Sequence, residues 1–381
     1  MDTSESVSKL MAKSISKEIN VTKVDLPPLD EYIMYLKEIW SNGWITNNGK
    51  FVQLLEKELE KYLNVKNLLI VSNGTLALQI ALKSLEINGE VITTPLTFAA
   101  TTNAIIWENL TPVFADIDSK TYNIDPRDIE KKINNNTSAI LAVHVYGNPC
   151  YVDEIKEIAD DNNLKLIYDA AHAFGVEYKD KSVLDYGDIS TISFHATKIF
   201  NTVEGGAIIV KDKNLIKKIK LLRNHGIKSE EQVVLPGTNA KMNELQAAIG
   251  LCNLKDVNNN IMLRKNIYSY YKEKLGDLKG LKFQKISASS YNYSYMPVCF
   301  QNSIDRDKVY SELYKNGINS RKYFYPLTVD FDYFKNKDHA EYNLKTASDV
   351  VNKILCLPIY PNLNITEINR IIAIIERTLK T

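Results

Sequence analysis

A lysine in a short link between two apolar runs is the first chemical signal in this chain. Ser193-Phe194-His195-Ala196-Thr197-Lys198 and Glu204-Gly205-Gly206 lie between residues 188–193 and 207–210, both of which read as strands. An amine attacks a carbonyl only when unprotonated, and burial favours the neutral form. A lysine held between buried strands therefore suits covalent catalysis through a Schiff base. The alternative is a loop lysine whose stem packs while its amine stays wet. This stretch alone does not separate the two.

Three further signals follow apolar runs. Ser72-Asn73-Gly74-Thr75 sits between a strand and a helix. Gly74 lets backbone approach an anion, Thr75 offers a hydroxyl and an N–H, and the helix turns its free N–H groups toward the same point, so the turn forms a phosphate cup. It is neither a Walker loop nor a dinucleotide Gly-x-Gly-x-x-Gly. In Tyr168-Asp169-Ala170-Ala171-His172, Asp169 ends a strand at the carboxyl edge where open α/β sheets keep their sites. A carboxylate there needs a cationic partner, and a protonated pyridine nitrogen would serve. In Pro95-Leu96-Thr97-Phe98-Ala99-Ala100-Thr101, Phe98 opens a helix just after a strand, where its ring is placed to lie on an aromatic ring. Singly, these residues read as well or better as an N-cap, a capping Asp and a core Phe. Together they come in a fixed order: cup, ring stacker, acid, lysine. Pyridoxal phosphate requires those four services.

The elements that must position these groups alternate. Apolar strands are expected around 67–72, 90–94, 112–116, 138–145, 164–169, 188–193 and 207–210. Helices are expected over 51–63, 76–85, 99–107, 126–133, 152–160 and 214–224, with a long helical stretch over 243–275. This pattern argues for α/β architecture with a mostly parallel sheet covered on both faces. After about residue 282 strand-like pieces, such as 293–300, alternate with helices at 305–315, 347–354 and 366–379. We therefore expect a flexible N-terminal arm over 1–20, a large cofactor-binding domain over 21–255 and a smaller α+β domain over 256–381.

Composition excludes other classes. The chain has 381 residues, is 45% hydrophobic and 24% charged, and carries a net charge of +1, which gives no pull toward nucleic acid or acidic membranes. The first 20 residues lack the apolar segment of a secretory signal, and no run reaches membrane-spanning length. Four scattered cysteines suggest neither disulfides nor a zinc ribbon and fit a reduced cytoplasmic setting. The five histidines form no His-Glu-x-x-His, so no metal is expected.

Ser-Phe-His-x-x-Lys with Asp-x-x-His resembles the DegT/StrS family of pyridoxal-phosphate nucleotide-sugar aminotransferases, on the fold-type I (aspartate aminotransferase-like) scaffold. The resemblance runs from about residue 24 to the C-terminus. It implies that Lys198 is the Schiff-base lysine, that Asp169 partners the ring nitrogen and that His172 lies near the ring hydroxyl. Ser193, Gly74 and Thr75 are implied as phosphate ligands and Phe98 as the ring stacker. Gly237-Thr238-Asn239-Ala240-Lys241 matches the segment whose Asn, in the family, reaches the neighbouring subunit's phosphate, implying a homodimer with shared sites.

The cup reads Asn-Gly-Thr where many members have Ser-Gly-Thr or Ser-Ala-Thr, and Thr328 stands where many carry a His near the sugar. Ala-Thr-Lys-Ile-Phe-Asn-Thr and Arg321-Lys322-Tyr323-Phe324-Tyr325-Pro326-Leu327 look most like the TDP-viosamine-forming branch. The implied reaction moves the amino group of glutamate to a keto-deoxy-sugar nucleotide, foremost TDP-4-keto-6-deoxyglucose, in biosynthesis of an O-antigen or other surface polysaccharide. Lys198 would move the proton and Asp169 would hold the ring nitrogen protonated. Lys241 and Arg321 are candidates for substrate anions, Trp44 and Tyr323 for sugar or base. A 3-keto acceptor and a non-catalytic regulator on the same fold remain as alternatives. Dehydratase relatives carry His at the lysine position, which Lys198 argues against.

Overall fold

Short apolar runs become strands buried on both faces. The computed structural model describes residues 18–334 and 343–380. Its central sheet comprises β1 (Leu68–Val71), β2 (Glu90–Thr93), β3 (Thr111–Phe114), β4 (Thr137–Val143), β5 (Lys165–Asp169), β6 (Ile189–Ser193) and β7 (Gly206–Val210). The order across the sheet is β1-β7-β6-β5-β4-β2-β3. β7 runs antiparallel to both its neighbours and the remaining pairs are parallel.

Helices α1 (Leu29–Asn42), α2 (Lys50–Tyr62), α3 (Gly74–Ser84), α4 (Ala99–Trp107), α5 (Pro126–Lys132), α6 (Val152–Asp161), α7 (Lys213–Leu222) and α8 (Glu244–Leu254) accompany the sheet. Strand side chains alternate between its faces. Leu69, Val71 and Ile208 meet Ala77, Ala81 and Ile219 from α3 and α7. Leu68, Ile70 and Ile209 meet Leu55, Leu59 and Ala247 from α2 and α8. Farther along, Ile92, Ile140 and Leu166 pack on Ile129 and Ile155 of α5 and α6.

Two elements depart from the sequence reading, one through a cap and one through packing. The helix expected over 76–85 begins at Gly74, because the Asn73 side chain accepts the Leu76 N–H. The stretch expected to be helical over 243–275 divides into α8 and α9 (Val257–Leu275). The ends of α9 enter different cores: Val257 joins the layer under the central sheet, whereas Ile267, Tyr271 and Leu275 join a second one.

That second core is built on the antiparallel sheet β8-β9-β10 (Leu281–Phe283, Met296–Phe300, Ile354–Leu357). α10 (Ser303–Lys315) supplies Val309 and Leu313, and α12 (Ile365–Lys380) supplies Ile371 and Ile375. α11 (Lys345–Lys353) packs Ala347, Val350 and Val351 toward the first core. The strand expected from residue 293 starts only at Met296. The Asn292 amide donates to the carbonyls of His172 and Phe174, and Ser294 Oγ donates to the same His172 carbonyl. These bonds turn residues 292–295 over the end of the central sheet.

Of the expected N-terminal arm, residues 1–17 lie outside the described residues. Ile19–Asn20 is not an arm but a short strand, parallel to Ile318–Asn319. Ile19 is 1% exposed and belongs to the second core, an apolar anchor that a flexible arm would leave in water.

Candidate active site

The carboxyl ends of β1, β5 and β6 open into one cavity of about 710 Å³. Gly74, Thr75, Phe98, Asp169, His172, Ser193, Lys198, Arg321 and Tyr323, all singled out from the sequence, line it.

Asp169 is the last residue of β5 and is 5% exposed. Its Oδ2 accepts from Thr101 Oγ1 at 2.7 Å and its Oδ1 from the Ala171 N–H at 3.0 Å. Burial raises its pKa, against the pull of those donors and of Lys198. Lys198 lies in the link between β6 and β7, partly exposed at the cavity wall. Its surroundings push its amine down to about 8, with Asp169 pulling the other way. The neutral amine, the state a nucleophile needs, is then far more populated near neutral pH than for an ordinary lysine.

His172 is 5% exposed. Its ring stacks on Phe324 (5.5 Å between centroids, 5° apart) and meets Tyr295 edge-on at 4.8 Å. Burial, and secondarily the charge of Lys198, hold it well below the ordinary histidine range, so it is neutral. Its buried Nδ1 has no hydrogen-bond partner among the described residues.

The cup forms where α3 begins. The first N–H groups of α3 have no intrahelical acceptor, and the Asn73 side chain takes only that of Leu76. Two close approaches narrow it. A Cβ at Gly74 would stand 2.9 Å from Ser193 Cβ, and one at Gly206 would stand 2.8 Å from the Asn73 carbonyl carbon. Phe98 is not in the core but 61% exposed, at the N-cap of α4 beside the cavity. This orphaned nitrogen, bare cup and exposed ring fit a group with a polar ring substituent, a phosphate and a flat face.

Not every expected residue meets here. Trp44 is 56% exposed, with its indole N–H bonded to the Asn47 carbonyl, and is not part of the cavity lining. Asn239 is exposed beside the hairpin of Ile227–Ser229 and Gln232–Val233, and Lys241 is half-buried; neither lines this chain's own cavity. Thr328 is fully buried; its Oγ1 accepts from Thr102 and reaches the Pro95 carbonyl at 3.3 Å, so it faces no ligand. Its hydroxyl is consumed in tying its loop to the start of α4.

Sequence reasoning missed Thr101, Tyr295 and Phe324 as site residues. Thr101 ends the Pro95 to Thr101 stretch, where the sequence reading gives it no role, although helical spacing from Phe98 puts it one turn on. Tyr295 arrives from far along the chain with no local signal, and Phe324 lies in the Arg321 to Leu327 segment, where the sequence reading gives roles only to its neighbours Arg321 and Tyr323. Tyr146 O–H, from the turn after β4, donates to the Tyr323 carbonyl and fixes that wall.

The model of the DegT/DnrJ/EryC1/StrS aminotransferase family matches residues 29–376. The chain belongs to this family. A Shigella dysenteriae protein and an Escherichia coli protein, both named dTDP-4-amino-4,6-dideoxy-D-glucose transaminase, are 44% and 46% identical to it, over 92% and 91% of this chain and 96% and 95% of theirs. The crystal structure of DesI in the presence of its TDP-sugar product is 30% identical with a TM-score of 0.89, over 96% of this chain and 94% of that one. Like other DegT/DnrJ/EryC1/StrS members, the chain is an aminotransferase that uses pyridoxal phosphate; the regulator alternative is set aside. Among the described residues, no group of three or more His, Cys, Asp or Glu is placed to hold a metal ion, and no helix is long and apolar enough to cross a membrane.

Proposed function

We propose that this chain transfers the amino group of glutamate to TDP-4-keto-6-deoxyglucose, giving TDP-4-amino-4,6-dideoxyglucose for a cell-surface polysaccharide, and that it works in the cytoplasm as a homodimer. The observation that carries the acceptor is the 44–46% identity, over more than nine-tenths of this chain, to two transaminases whose name contains that product.

In this reading Lys198, Gly74, Thr75, Ser193, Phe98, Asp169 and His172 hold the cofactor. When bound, pyridoxal phosphate supplies a carbonyl that condenses with amines and an electron sink for the carbon losing its proton. The cup's N–H and hydroxyl donors take its phosphate. Phe98 covers a ring face, and the free Nδ1 of His172 has a partner in the ring hydroxyl. Asp169, buried and with few donors, is matched to a cationic ring nitrogen. Lys198 would hold the cofactor's carbonyl carbon and, as a free amine, would carry the substrate carbon's proton on Nζ. Arg321 and Tyr323, on the wall contributed by the second domain, meet the substrates.

Product analysis tests the acceptor. With glutamate and a panel of keto-sugar nucleotides, the 4-keto-6-deoxyglucose nucleotide is expected to react, with nitrogen assigned to carbon 4 by NMR. Nitrogen at carbon 3, or turnover of a 3-keto sugar alone, would transfer the reading to the 3-keto class.

The dimer rests on Asn239, exposed and not among the residues lining its own cavity, as a group serving the partner's phosphate; Trp44 and Lys241 are assigned to the same shared edge. Closed two-fold pairing is the common solution for soluble oligomers. Mixing Lys198→Ala and Asn239→Ala subunits, each inactive or strongly impaired alone, is expected to restore activity, because one site of the mixed dimer then carries both lesions and the other none. No recovery in isolated mixed dimers would reject sharing.

A further inference from the structure

The Glu204-Gly205-Gly206 motif and the His195 beside it have no part in holding the cofactor, yet both His195 and Glu204 line the cavity. Their backbone geometry is fixed. Lys198 N–H donates to the His195 carbonyl at 2.8 Å, so the histidine rides on the lysine loop. The Glu204 N–H donates to the Thr202 carbonyl at 2.9 Å, and Thr202 Oγ1 donates back to the Glu204 carbonyl at 2.7 Å. The next two residues must be glycine: a Cβ at Gly205 would stand 2.0 Å from Thr202 Oγ1, and Gly206 is already crowded by Asn73. The motif sets the backbone from which the Glu204 carboxylate enters the cavity.

The histidine tautomer follows. Its Nδ1 accepts the Thr197 N–H at 3.3 Å and lies 2.9 Å from Thr197 Oγ1, so in the neutral ring Nε2 carries the hydrogen. Nε2 faces Glu204 Oε1 at 3.6 Å, too far for a direct hydrogen bond. A hydroxyl between them accepts from Nε2–H and donates to Oε1, using both of its capacities.

The two substrates differ in which can use this pair. Glutamate brings carboxylates, which a second carboxylate repels. The hexose is uncharged and carries hydroxyls. Of the charged lining residues, Asp169 and Lys198 serve the cofactor and Arg321, over the Tyr323 ring at 5.8 Å, suits an anion. Glu204 is left for a neutral polyol.

We propose that His195 and Glu204 read one ring hydroxyl of the hexose and so select the acceptor without serving the donor. This rests on the sugar-aminotransferase reading above. The test separates the half-reactions in stopped flow. Glutamate alone is followed by the change in the cofactor's visible band, and the acceptor by the band's return in amine-loaded enzyme. In Glu204→Gln, kcat/KM for the acceptor is expected to fall about tenfold to hundredfold, while the glutamate half-reaction shifts by less than about threefold. His195→Gln gives the same selective loss and carries the test should Glu204→Gln lose its cofactor or melt early. With an acceptor lacking the hydroxyl that is read, among 2-deoxy and 3-deoxy analogues, wild type and Glu204→Gln become equal, because the two changes remove one interaction. Equal slowing of both half-reactions, no slowing of either, or an undiminished variant effect on every analogue would overturn the proposal. A wild-type protein without the visible band would instead overturn the cofactor assignment on which it rests.

Discussion

Lys198→Ala is expected to lower turnover by about 10⁴-fold or more, the scale seen when a nucleophile that also moves the proton is removed. The folded protein should still bind pyridoxal phosphate through the cup. Borohydride treatment of wild type, followed by peptide mapping, should place the cofactor's mass on the peptide containing Lys198; attachment at another lysine would refute the assignment. The pH dependence has a definite sign. The amine is pushed down to about 8 from 10.5, so cofactor uptake by cofactor-free protein rises with pH and levels off above about 8. Between 8 and 10.5 the unfolded chain holds a proton on this lysine that the folded chain does not. Stability of the cofactor-free protein therefore gains from this group as pH rises through that window, and the penalty for burying its charged form is fully present below 8. Lys198→Ala removes that contribution. Lys198→Arg does not substitute, because a guanidinium stays protonated.

Asp169→Asn separates the two duties of that carboxylate. Turnover should fall by about 10²- to 10³-fold, as when one preorganised electrostatic partner is lost, because a neutral amide no longer favours the protonated ring nitrogen. Asp169 also holds the Lys198 pKa up, so the plateau of cofactor uptake should move to a pH below 8. Faster capture near neutral pH together with slower turnover is a combination that simple damage to the site does not produce. Turnover within about threefold of wild type would refute the ring-nitrogen role. Thr101→Val, which removes one of the two donors to Asp169, should have a much smaller effect in the same direction as burial: the carboxyl becomes harder to ionise in the cofactor-free protein.

What the sequence revealed follows from how local each signal is. Lys198, Asp169 and the Asn73-Gly74-Thr75 turn were legible because each sits directly at the end of an apolar run, and a strand end fixes where a side chain can go. Phe98 was ambiguous for the same reason: an aromatic residue after a strand enters the core unless it caps a helix, and only the cap geometry places it outside. Tyr295, in the turn before β9, and Phe324, in a loop beyond it, pack against His172 from more than a hundred residues away in the chain, and no period or turn residue announces such a meeting. Thr328 misled in the opposite direction. Its place in a motif suggested a ligand contact, but two hydrogen bonds to Thr102 and Pro95 turn it inward. The break between α8 and α9 was hidden because it contains neither Gly nor Pro, only Lys255 and Asp256.

The position of β7 has a consequence for biosynthesis. It is the last strand of the central sheet to leave the ribosome, yet it lies between β1 and β6, with Gly206 paired to both Val71 and Ser193. Until residues 206–210 have been made, a growing chain holds the Gly74 turn and Ser193 on strands that share no neighbour. The phosphate cup therefore cannot exist on a nascent chain that ends earlier, however much of the α/β layer has already condensed. Cofactor joins a sheet that has already closed, and its binding then deepens the stability of that closed state by mass action. Vitamin starvation of the cell would leave this enzyme folded but shorter-lived, with proteolytic turnover and not misfolding as the route of loss.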